Sequence, residues 1–111
     1  MKVIAYAGGE YVTGDEIAEA LLEYSEALAG AGSAAHMEIP IVDAHGQRAR
    51  AAFLVGPSSQ IVVTPADPGT EELTDQEVVD RLRRLTRSLH PVAYPAAEGD
   101  MSLEDFDGSE G

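Results

Sequence analysis

The chain has 111 residues and a mass of 11.7 kDa, enough for one domain with a core and too short for two. Its 20 acidic residues outnumber its seven basic ones, giving a formal net charge of −13, and such a surface is repelled by nucleic-acid phosphates and anionic lipid heads, whose binding depends on Lys and Arg. Cysteine is absent, which excludes disulfides, thiolate metal sites and a cysteine nucleophile.

The charge is unevenly placed. Residues 1–97 hold fourteen acids against seven bases, and residues 98–111 add six acids and no base. Residues 1–12 carry one Lys and a short apolar run, too little for a signal peptide or a membrane span, so a cytoplasmic location is expected. One Lys against six Arg, with abundant Ala and Gly, is the composition expected of a bacterial or phage protein from a GC-rich genome.

In chain order, residues 2–7 form a first apolar strand before Gly8 and Gly9. The run Val12-Thr13-Gly14-Asp15-Glu16-Ile17 follows, and a similar run, Leu73-Thr74-Asp75-Gln76-Glu77-Val78, occurs later. Each has Thr followed three residues on by Glu and flanked by apolar residues, the pattern of a capping box, so each predicts a helix start. The first helix is expected over residues 14–29, with Ile17, Leu21, Tyr24 and Leu28 inward and Gly30 and Gly32 ending it. Its opposite face stacks Glu16, Glu19, Glu23 and Glu26 in an acidic stripe.

Three strands are expected next. Met37, Ile39 and Ile41 alternate with other residues around Pro40, and Asp43-Ala44-His45-Gly46 is turn chemistry leading into residues 48–55. Pro40 lacks an amide proton, so its strand should be an edge or carry a bulge there. Gly56-Pro57-Ser58-Ser59 makes a second turn into residues 60–64, which predicts a three-stranded meander. The second helix spans residues 75–89, burying Val78, Leu82, Leu85 and Leu89, and His90-Pro91 stops it. The expected fold is α+β: a two-layer sandwich of order β-α-β-β-β-α, with a mostly antiparallel sheet and both helices on one face. Residues 1–92 form the single domain, and residues 93–111 an acidic tail without periodicity, expected to be disordered.

The order α-β-β-β-α is similar to that of double-stranded RNA-binding domains and of small dimeric nucleoid-associated proteins. Only the order matches, and no motif residue of either family is present.

Four of the seven basic residues, Arg81, Arg83, Arg84 and Arg87, lie on the second helix. They are candidate partner-binding residues, together with Met101, Leu103 and Phe106, which interrupt the acidic tail at spacings of two and three. No catalytic set is visible: His36, His45 and His90 do not converge, Ser58 and Ser59 lack a nucleophile elbow, and Gly8-Gly9 fits no phosphate-binding motif. No cofactor and no metal are expected. The leading reading is a small acidic cytoplasmic protein-protein interaction module, such as an adaptor, inhibitor, antitoxin or immunity-like protein, acting through its acidic surface and tail. The alternatives are a nucleic-acid-associated homodimer using the arginine cluster, and a small enzyme with a carboxylate-based site at a dimer interface.

Overall fold

A computed structural model describes residues 1–67 and 71–89. The elements are β1 (Lys2–Tyr6), β2 (Gly9–Thr13), α1 (Asp15–Ala31), β3 (Ala35–Val42), β4 (Arg48–Val55), β5 (Ile61–Pro65) and α2 (Gln76–Leu89). The fold is α+β, a single antiparallel sheet with two helices. The expected order β-α-β-β-β-α is present, with the first β occupied by a hairpin, β1 and β2. That hairpin turns in two residues, Ala7 (φ 50°) and Gly8 (φ 83°), and positive φ at both matches the twist of the flanking strands.

The expected meander of β3, β4 and β5 is corrected. The sheet order is β4-β3-β2-β1-β5, so β4 and β5 lie at opposite edges although only residues 56–60 connect them. β5 pairs instead with β1, from Lys2↔Pro65 to Tyr6↔Ile61. Six peptide steps span at most about 21 Å when extended, barely more than the roughly 19 Å between the outer strands of a flat five-stranded sheet. The turn closed by the Ser59 amide on the Gly56 carbonyl shortens that link, so the sheet rolls to bring its edges together. The aromatic residues confirm the roll. In a flat sheet β1 and β4 would be about 14 Å apart, yet the Tyr6 and Phe53 rings meet edge to face at 5.1 Å and the Tyr11 and Phe53 rings at 5.2 Å.

The roll is made possible by a weak seam. β2 meets β3 through the single pair Val12↔Val42, whereas β3 and β4 pair over eight residues. Pro40 lies just beyond the seam, where a missing amide proton costs no ladder bond. Its carbonyl accepts a hydrogen bond from the buried Thr13 hydroxyl at 2.7 Å, which ties the two halves of the sheet together.

One apolar core joins both layers. Ile17, Leu21, Tyr24, Leu28 and Leu82 are buried as expected, Ile4, Ile39, Ile41, Phe53 and Val55 are buried with them, and Ile61, Val63, Val78, Leu85 and Leu89 are half-buried against that core. Val79 joins Leu82 as the buried contact of α2, and Ala18, Ala20 and Ala27 let α1 approach its neighbours closely. α1 ends on Gly32, a left-handed residue (φ 67°) whose amide bonds the Ala29 carbonyl while the Ser33 amide bonds that of Leu28.

Candidate partner interface

β4 is one of the two terminal strands of the sheet, and Pro40 shows which way its backbone points. Pro40 is opposite Arg50 in the β3–β4 register, and its carbonyl faces β2, where it meets Thr13. In an antiparallel ladder a residue's N–H and C=O point to the same side, so Pro40 and Arg50 form a non-hydrogen-bonded pair. The Arg50 amide and carbonyl therefore face away from β3, as do those of Arg48, Ala52 and Leu54. Leu54 supports this assignment: its carbonyl accepts hydrogen bonds from the hydroxyls of Ser59, at 3.1 Å, and Tyr6. The edge is closed at Leu54. From Arg48 to Ala52, among the described residues, no strand pairs with it.

Beside the closed end lies a groove of about 880 Å³. Ala5 and Val62, on the outer face of the β1–β5 pair, line it together with Leu54 and residues 56–60. Leu54 and Val62 are 61% and 58% exposed, the two most exposed large hydrophobic side chains here. The wall is held closely. A side chain at Gly56 would meet Ala34 Cβ at 2.9 Å and the Ser33 carbonyl at 3.0 Å, which is why glycine stands there. Ser59 Oγ braces the turn by accepting the Gly56 amide at 3.0 Å.

On the exposed face of β4 stand Arg48 and Arg50, with Ala52 and Leu54. Arg48 reaches Asp75 at 3.6 Å. Asp75 also accepts the Val78 amide at 3.2 Å, capping α2, so one carboxylate links the helix start to the strand.

The residues singled out from sequence fall into separate places. Glu16, Glu19, Glu23 and Glu26 are exposed on α1, as a solvated stripe should be. Arg81, Arg84 and Arg87 are exposed on α2, while Arg83 is half-buried and 4.0 Å from Glu16, the one pair between the stripe and the cluster among the described residues. An exposed pair of this kind contributes about 0 to 1 kcal/mol. Met101, Leu103 and Phe106, the tail from residue 93 and the boundary at residue 92 lie outside the described residues, as does His90. Asp43 is a turn residue: its Oδ1 accepts the amides of His45 and Gln47, both at 2.9 Å. Among the described residues no three His, Asp or Glu side chains gather as a metal site.

A second charged cluster was not legible in the sequence. The Met1 ammonium lies between Glu72 Oε1 at 2.9 Å and Asp15 Oδ1 at 3.0 Å, and Glu72 Oε2 accepts the Asp15 amide at 2.6 Å. Hydrogen bonds to Glu72 and then Asp15 raise the pKa of the ammonium above its ordinary value. The same ammonium lowers both carboxyls, and the Asp15 amide lowers Glu72 further. Glu72 thus satisfies the first turn of α1, where Thr13 was expected to act. The cluster joins the loop before α2 to the start of α1, a structural role.

Comparison with protein-family models, curated proteins and solved structures returns no match. Among the described residues no helix is long and apolar enough to cross a membrane.

Proposed function

We propose that this chain is a small cytoplasmic protein-protein interaction module that acts by binding. The observation that carries the reading is the groove at Leu54 and Val62 beside the open edge of β4. Two large apolar side chains, each more than half exposed, flank one depression, which marks a contact site when the surrounding surface is polar. Strand edges and apolar grooves are recurrent surfaces for protein recognition. The acidic stripe of Glu16, Glu19, Glu23 and Glu26 favours basic partners by steering, an effect on association rate more than on affinity.

Affinity capture from the native cell tests this reading, with the full chain compared against Leu54→Asp and Val62→Asp. Both positions are exposed, so both variants should fold. A protein captured by the original chain and lost from both variants is the expected result. An identical set from all three contradicts the reading.

A second reading rests on Arg81, Arg84 and Arg87, which are exposed and without an ion pair among the described residues. They favour an anionic partner, including nucleic acid if two copies combine their arginines. A salt titration against duplex and single-stranded DNA and RNA separates this from the first: phosphate binding falls steeply with added salt, and weak or salt-insensitive binding sets it aside.

A further inference from the structure

We infer that the β4 edge accepts an extended segment of a partner protein as an added strand, and that this segment alternates carboxylate and apolar residues. The inference rests on the interaction-module reading and specifies its binding mode. The backbone supplies the template: among the described residues the outward N–H and C=O groups of Arg48, Arg50 and Ala52 face no strand, and the hydroxyls of Tyr6 and Ser59 stop the template at Leu54. An incoming strand therefore has about five residues of edge to pair with.

The side chains select the occupant. A strand added to β4 continues both of its faces, because side chains alternate across a sheet. On one face it meets the exposed Arg48 and Arg50, and on the other it lies beside the half-buried Ala49 and Ala51. Carboxylates on the first face and small or branched apolar residues on the second satisfy both. Beyond Ala52 the segment reaches the Leu54 and Val62 groove, so an apolar residue suits that end. Among the described strands of this acidic chain, β4 alone has two bases and no acid. A second copy suits the edge poorly, since symmetric pairing would gather four guanidinium groups on one face.

Edge strands in soluble proteins are commonly blocked by proline, a bulge or a covering element. Among the described residues β4 has none of these from Arg48 to Ala52. Its two arginines repel a like edge and attract an acidic one, which makes them a filter for the occupant as well as a defence against self-association.

The experiment is a titration of the isotope-labelled full chain with a nine-residue peptide of alternating glutamate and valine, followed by backbone amide NMR. Binding should shift the amides of Arg48, Arg50 and Ala52 and slow their hydrogen exchange. Arg50→Glu should weaken binding about fivefold or more, and Ala52→Pro should abolish it by removing an outward amide. A peptide alternating lysine and valine should not bind. Arg48 is left unchanged because its partner Asp75 caps α2. Shifts confined to Arg81, Arg84 and Arg87 would overturn the inference in favour of attraction to the helix, and so would equal binding by both peptides. If the peptide fails to bind while capture at Leu54 and Val62 persists in cells, strand addition is wrong and the interaction-module reading stands; loss of both removes the reading itself.

Discussion

The two helix starts carry nearly the same residues and are built differently. At α2, Asp75 is the cap, accepting the Val78 amide, and the side chain of exposed Thr74 makes no hydrogen bond among the described residues. At α1 the cap is Gly14, which has no side chain, and Thr13 is drawn away to the Pro40 carbonyl while Glu72 serves the Asp15 amide. The difference follows from burial. Thr13 lies inside the sheet seam, where the Pro40 carbonyl needs a donor, and an unmet buried carbonyl costs more than an exposed helix end that water can satisfy. The shared signature therefore locates a helix start without assigning its hydrogen bonds.

Gly14 offers the hardest test of this contrast. An added Cβ would lie 1.8 Å from the Leu73 carbonyl oxygen, a backbone atom with little freedom to withdraw. Gly14→Ala should destabilise by about 3 kcal/mol or more, as overpacking against fixed atoms does. A denaturant midpoint equal to that of the original chain would mean that the two segments do not touch.

The threonines should separate next. Thr13→Val keeps shape and orphans a buried carbonyl, so a loss of about 1 to 3 kcal/mol is expected. Thr74→Val should stay within about 0.5 kcal/mol. Equal losses at both would restore the two identical capping boxes read from the sequence. Asp75→Ala should then cost about 1 kcal/mol through its cap, measured by thermal or chemical unfolding.

The cluster at the α1 start should also shape the response to pH. The carboxyls of Asp15 and Glu72 are lowered, so their contribution is present above the ordinary carboxylate range of about 4 and is lost as pH falls through their folded values. The Met1 ammonium is raised, so its contribution is complete below its ordinary value of about 8 and is lost as pH rises through the folded value. Stability from this cluster should be flat between about pH 5 and 8 and decline on both sides. Acetylating the amine should remove the alkaline decline, and an unchanged alkaline limb would place its origin elsewhere.

Local patterns made much of this fold readable. Helical spacing found α1 and α2 and alternation found β3 and β4, but the edge or bulge expected at Pro40 is corrected: β3 lies between β4 and β2 in unbroken register with β4, and Pro40 is tolerated because it faces the short seam with β2. What escaped depended on distant contacts. β2 is a short strand in which Tyr11 and Val12 follow Glu10, and its nearest signal was the two-residue turn at Ala7-Gly8. The place of β5 could not be read from the turn before it, because the roll that brings residues 56–60 across the sheet arises from packing of Tyr6 and Tyr11 on Phe53. The candidate interface shared that fate. The arginine cluster and the glutamate stripe are visible as runs of charge, whereas the groove joins β1, the β4 end and β5 only after the sheet has rolled.

The open edge of β4 is the feature on which the functional account depends most, and amide hydrogen exchange along that strand in the isolated full chain tests it directly. The amides of Arg48, Arg50 and Ala52 point outward and should exchange rapidly, while those of Ala49, Ala51 and Phe53 bond to β3 and should exchange slowly, an alternation with a period of two. Uniform protection across all six would mean that the edge is already covered, and would contradict the account.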